Sequence, residues 1–194
     1  MGRLHLCGLR VGQQGLLLTA AVILSVLIVP DIQARADYLT VVGSHNPLAH
    51  WSLGETSGTI ATDSEGGFDG QYVNGVTLGE EGAISQSSDT AARFDGSNDY
   101  IEVPHHSAFL LDNGTLMLWF KADNLSSNQG LFSKDSSGYD TGGHLTLYCA
   151  GSNMKVRLQS TSETYTLESD GISSNVWVHV AFSWGSNGMQ LYLN

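Results

Sequence analysis

The residues whose types and positions could do chemistry are few, and most are oxygen donors in turns. Asp63, Asp69, Asp95, Asn98 and Asp99 all stand in Gly/Ser-rich stretches. Such groups suit calcium, which takes roughly six to eight carboxylate and carbonyl oxygens. Asp69-Gly70 and Asp95-Gly96 are also ordinary turn dipeptides, so turn formation competes with metal binding at these positions. A second kind of chemistry needs an exposed ring beside amides or carboxylates, because a sugar offers apolar ring faces and hydroxyls together. Tyr139-Asp140, inside the polar stretch 134–143, is one such place, and Trp184, at the last turn of the chain, is another. Trp184 shares strand parity with Phe182 and equally suits capping a core.

Other chemistries lack their residues. Retaining glycoside hydrolysis needs two carboxyl groups about 5 Å apart on one face, whereas Glu102 and Glu168 each stand alone in a strand pattern. There is no Gly-x-Ser-x-Gly, and Cys149 continues the parity of Leu145 and Leu147, which predicts a buried, inert thiol. His105 and His106 are adjacent, so on an extended chain their rings diverge and cannot share a zinc ion. His179 sits mid-strand beside a core face and is expected to be packed and hydrogen-bonded. The chain is therefore expected not to be an enzyme and to need no organic cofactor.

The elements that would position these groups are strands. Leu116, Leu118 and Phe120 fall on one face with Met117, Trp119 and Lys121 on the other, and Met154, Val156 and Leu158 oppose Lys155, Arg157 and Gln159. The period is two throughout. Further short runs are expected as strands over 50–53, 71–74, 100–103, 130–133, 144–149 and 165–168. The last stretch, Trp177 to Asn194, reads as a hairpin turning at Asn187-Gly188, residues that tolerate positive φ. Short strands separated by turn clusters, without βαβ alternation, predict an all-β, two-layer antiparallel β-sandwich.

A family resemblance rests on motifs in one order: Trp51-Ser-Leu-Gly-Glu-Thr-Ser-Gly58, Asp63-Ser-Glu-Gly66, Phe94-Asp-Gly-Ser-Asn-Asp-Tyr-Ile-Glu-Val-Pro104, Thr115-Leu-Met-Leu-Trp-Phe-Lys121, Trp177-x-His179-Val-Ala181 and Leu191-Tyr-Leu-Asn194. Together they resemble the laminin G-like, concanavalin A-like jelly roll over residues 46–194. The resemblance implies a calcium ion at the sandwich rim, for which Asp63 and Asp69 are the candidate ligands. It favours sugar binding, with Tyr139, Asp140 and Trp184 as candidates, and it places Trp51, Trp119 and Trp177 in the core. In that family further strands follow the closing hairpin, so the domain is expected to be incomplete at its C-terminus, with a sheet edge open near Trp51.

The first residues read as an address. Arg3 and Arg10 precede an uncharged run from Leu16 to Val29, and Ala34-Arg35-Ala36 has the small-x-small form of a cleavage site. A signal peptide over 1–36, a linker over 37–45 and a secreted or cell-surface product are expected; the apolar run is shorter than the roughly 20 residues of a membrane span. Beyond Ala36, eighteen acids face five cations, Arg93, Lys121, Lys134, Lys155 and Arg157. That balance disfavours nucleic acid, whose binding needs clustered cations, and no membrane insertion is expected after processing. Asn113-Gly-Thr115 and Asn124-Leu-Ser126 are glycosylation sequons. Three functions fit, in this order: a lectin-like module for carbohydrate or extracellular partners, a structural or adhesive spacer, and a polysaccharide-degrading enzyme on the same fold.

Overall fold

The computed structural model describes residues 40–84, 90–134 and 144–194. The expected signal segment and its cleavage site lie outside the described residues, as do Tyr139 and Asp140. Among the described residues no helix is long and apolar enough to cross a membrane. A helical turn covers 40–44, and the strands all belong to one compact unit, His45–Asn194.

In chain order the strands are β1 (Ile60–Ala61), β2 (Gly70–Val73), β3 (Thr77–Glu81), β4 (Thr90–Arg93), β5 (Tyr100–Glu102), β6 (Gly114–Phe120), β7 (Gln129–Lys134), β8 (His144–Ala150), β9 (Asn153–Gln159), β10 (Thr164–Asp170), β11 (Val178–Gly185) and β12 (Gly188–Leu193). They pair antiparallel in the orders β10-β9-β8-β7, β12-β11-β6, β1-β2-β5 and β3-β4. The all-β antiparallel sandwich expected from the alternation is what forms.

Its core lies between the first two sheets. Leu147, Cys149, Met154 and Val156 come from β8 and β9; Phe120, Val178, Val180 and Phe182 come from β6 and β11. Each sits at the parity that its strand's alternation dictates. Full burial of a side chain such as Phe182 stabilises by about 1.5–3 kcal/mol before entropy is counted. Cys149 is a free, fully buried thiol whose pKa burial pushes up to about 11, which agrees with the inert reading.

Two local expectations are corrected and one ribbon was not anticipated. The stretch 50–53 contributes only a bridge between Trp51 and Asp63, because Leu53 takes φ of 54° and breaks the extension. The closing turn is Ser186-Asn187 between the paired Gly185 and Gly188, one position earlier than expected, with Gly188 in the left-handed region at φ 92° and Asn187 outside it. The β3–β4 ribbon carries no clean alternation, and Gly79 at φ 80° sits at its register shift, so pattern reading passed over it.

Candidate functional site

The candidate site is built by β6, β11 and β12. Register sets its layout: Trp119 faces His179, Met117 and Tyr192 flank Ala181, and Thr115 and Gln190 flank Ser183. These side chains share the face turned away from the core, and none is acidic in a chain of net charge −11. Trp119 is 40% exposed, Met117 54% and Tyr192 56%. The core placement expected for Trp119 is thus corrected. Its parity with Met117, opposite Leu116, Leu118 and Phe120, turns it outward whatever its hydrophobicity.

His179 is half-buried, its ring tilted against Trp119 with centroids 5.0 Å apart. Burial lowers its pKa, so the ring is neutral near pH 7. Its backbone N–H donates to Asn194 Oδ1 at 3.1 Å, and its carbonyl accepts from Asn194 N at 3.0 Å. Beyond it, Lys121 Nζ stands 5.2 Å from the centroid of the Trp177 ring, a cation–π contact that closes this end of the face.

At the other end, beside the β11–β12 turn, an open recess of about 420 Å³ is lined by Asn113, Ser183, Trp184, Ser186, Asn187 and Gln190, with Gly185 and Gly188. Trp184 is fixed there. Its ring stacks on Phe182 at 5.5 Å, and its Nε1 donates to the Leu111 carbonyl at 3.2 Å. A Cβ on Gly114 would lie 2.7 Å from the indole, so only glycine admits the ring in this position. Trp184 both caps the core and walls the recess. Tyr192 Oη donates to Gln190 Oε1 at 2.7 Å, which leaves the Gln190 NH2 group as a donor.

The candidate calcium ligands occupy a different place and a different role. Asp63 is only 7% exposed. Its Oδ1 accepts from His50 N at 2.7 Å and Glu65 N at 3.1 Å; its Oδ2 accepts from Gly66 N at 3.0 Å and Phe68 N at 2.9 Å. Burial opposes the charge, yet these N–H groups together hold the carboxyl below its usual range. Asp69 Oδ1 in turn accepts from Asp63 N at 2.9 Å. Four donors fill the lone pairs a cation would use, so this donor set does not fit calcium; it ties a loop. The packing is close enough that a Cβ on Gly66 would lie 2.3 Å from the Leu48 carbonyl oxygen.

The other turn acids are engaged likewise. Asp95 Oδ1 accepts from Ser97 N and Asn98 N, Asp99 Oδ1 from Gly75 N and Asp99 Oδ2 from Asp95 N. No group of three or more His, Cys, Asp or Glu residues among the described residues could hold a metal ion. Glu102 lies on β5 and Glu168 on β10, in separate sheets. Glu168 pairs with Lys155 at 3.1 Å and accepts from Asn153. His106 Nδ1 caps a short 3-10 turn, Ser107–Phe109, and its ring packs on Phe68.

Sequence reasoning missed Asn113, Ser183 and Gln190 as companions of Trp184, since they converge from three strands or their ends. The parity of Trp119 was visible and outweighs the family position that placed it in the core. Comparison with known proteins adds one finding. A laminin G family model, described as the concanavalin A-like lectin/glucanases superfamily, matches residues 95–194, which include β6, β11 and β12. No curated protein and no solved structure matches the chain. With half its length matched in order and its strands in antiparallel sheets, the chain belongs to the concanavalin A-like lectin/glucanase superfamily.

Proposed function

We propose that this is a secreted, non-catalytic binding module for neutral carbohydrate, which seats a short glycan in the recess at the β11–β12 turn. The observation that carries the reading is the lining itself: an immobilised indole with amides and hydroxyls from Asn113, Ser183, Ser186, Asn187 and Gln190, and no charge. Neutral sugars are bound by that combination of ring face and fixed polar groups. Anionic glycans are disfavoured by a chain of net charge −11. Secretion is read from the Leu16–Val29 run and Ala34-Arg35-Ala36. Binding is proposed to be calcium-independent, because the Asp63 carboxylate is taken up by backbone donors.

The test is calorimetric titration of the full chain with neutral di- to hexasaccharides, with and without chelator, beside Gln190→Ala. Saturable binding weakened about tenfold by Gln190→Ala, and unchanged by chelator, is the expected result. A folded protein that binds none of them overturns the reading. The adhesive-spacer reading then leads. It is favoured by a cleft of about 340 Å³ between the edge strands β10 and β12, with half-buried Leu167, Met189 and Leu191.

A further inference from the structure

The β12-β11-β6 sheet ends at β12, and its register fixes where the backbone groups of that edge point. Asn194 N donates to the His179 carbonyl at 3.0 Å, so these two residues form a hydrogen-bonded pair. Counting back by twos, Tyr192, Gln190 and Gly188 also spend their N–H and C=O groups on β11. Those of Met189, Leu191 and Leu193 therefore point away from the sheet, and among the described residues no strand pairs with them. Gly188–Leu193 holds no charge, no proline and no register shift, the devices that normally blunt an edge. The facing sheet is guarded at both of its edges, by Glu168 and Asp170 on β10 and by Lys134 and a register shift on β7. Beside β12 runs the cleft of about 340 Å³. Four successive residues, Met189 to Tyr192, line it, so it follows the edge of the strand and not one of its faces. Its other wall is β10, through Leu167, Glu168 and Ser169. Tyr165, which shares the core-facing parity of Leu167, is 53% exposed. The four-stranded sheet thus projects past the three-stranded one as a partly uncovered ledge.

We infer that the free edge of β12 accepts one extended peptide strand from a partner protein, with apolar residues at alternate positions turned onto the β10 ledge and basic residues at its ends. The edge itself selects a main chain. Its outward donors and acceptors recur every second residue, about 7 Å apart, a repeat that another extended strand matches. A helix has already spent its backbone groups internally. The floor selects the side chains: Leu167, Met189 and Leu191 share the core-facing side, while Gln190 and Tyr192 lie on the other, so the added strand is apolar on one face and polar on the opposite one. Charge selects against acids, since Glu168 and Asp170 stand on β10 in a chain of net charge −11. The ledge argues against a second copy as occupant. Pairing β12 with its own copy would drive the two projecting β10 strands into the same space, whereas a lone strand meets no such obstacle. The inference does not rest on the glycan reading, although Gln190 borders both the recess and the cleft.

The test is amide hydrogen exchange of the full chain by NMR, with sedimentation for its mass in solution. The probe is a synthetic peptide of alternating valine and threonine with lysine at each end, beside its N-methylated form, which keeps the side chains and lacks the donors. In the free protein the amides of Met189 and Leu191 should exchange about tenfold or more faster than those of Gln190 and Tyr192. The peptide should slow the first pair about tenfold and leave the second unchanged, and the N-methylated form should do neither. Leu191→Pro removes a donor only on the free side of β12, a place an edge strand tolerates, and should abolish the effect. Should that variant not fold, Tyr165→Lys, at an exposed position on the ledge, should weaken it about fivefold or more. Met189 and Leu191 amides as protected as their neighbours in the free monomer overturn the inference, because the edge is then already covered. Protection that rises with protein concentration, together with a dimer by sedimentation, assigns the edge to a second copy and overturns it too. So does equal protection by the N-methylated peptide, which would mark apolar adhesion, or no protection by either peptide. None of these outcomes touches trisaccharide binding at the recess, which stands or falls by its own titration.

Discussion

The two faces of the β6–β11–β12 sheet are drawn from the same strands and often from adjacent residues, yet they are built for opposite ends. Inward lie Leu116, Leu118, Phe120, Val178, Val180, Phe182, Met189, Leu191 and Leu193, packed against β8 and β9. Outward lie Thr115, Met117, Trp119, His179, Ala181, Ser183, Gln190 and Tyr192. Both faces contain large apolar groups, so hydrophobicity alone does not tell core from site. What differs is cover: a second sheet closes over one face, and in this chain nothing among the described residues closes over Trp119, Met117 or Tyr192. The comparison separates residues that hold the fold from residues the fold holds out.

The largest expected effect is on the inward side. Phe182→Ala should cost about 3–5 kcal/mol by urea denaturation, through lost transfer energy and the cavity left behind. Trp119→Ala, one strand away, should cost under about 1 kcal/mol. Equal losses from the two would break the distinction between the faces.

Next in size is Asp63, an inward group that is charged. Asp63→Ala leaves four backbone donors without their acceptor, for an expected loss of about 2–4 kcal/mol in the same assay. Its carboxyl titrates lower in the folded state than in the unfolded chain. Its stabilising contribution is therefore full above an unfolded pKa of about 4 and is lost as pH falls through the lower folded value. Stability measured from pH 6 to pH 2 should fall less steeply over the acid range in Asp63→Ala than in wild type. Parallel curves would show that Asp63 does not carry this dependence.

A smaller effect sharpens the geometry of the turn that joins β11 to β12. Gly188→Ala, at φ 92°, should destabilise by about 1 kcal/mol, whereas Asn187→Ala, outside the left-handed region, should be close to neutral. Smallest in stability, but decisive for binding, is modification of Asn113. This exposed asparagine lines the recess and heads a sequon. Protein from a glycosylating secretory host should melt as the bacterial product does yet lose trisaccharide binding, because the attached glycan fills the recess. Undiminished calorimetric binding by glycosylated protein would move the sugar site elsewhere.

Much of this was legible in the sequence, for identifiable reasons. Period-two alternation marked the strands and gave the parity of Leu116 to Lys121 and of Met154 to Gln159 correctly, because one buried face imposes it. Trp119 was misplaced where the family resemblance was allowed to override that parity. Asp63 resisted reading for a different reason. A carboxylate in a turn looks the same whether it faces a cation or N–H donors, and one of its donors, His50, lies thirteen residues upstream. The recess was illegible because Asn113 is far in sequence from Ser183 and Gln190, and only the β6–β11 pairing brings them together. Trp184 alone marked the spot.

That pairing has a consequence for the order in which the domain assembles. The β8–β9 and β9–β10 hairpins close over a few residues, whereas β6 must find β11 across the whole of β7 to β10, the longest separation of any ladder among the described residues. Loop-closure entropy delays such a contact until the intervening meander has formed. The β6–β11 pairing, and with it the recess proposed to bind, is thus a late product of folding, and a nascent or partly unfolded chain can carry most of its native hairpins before that recess exists.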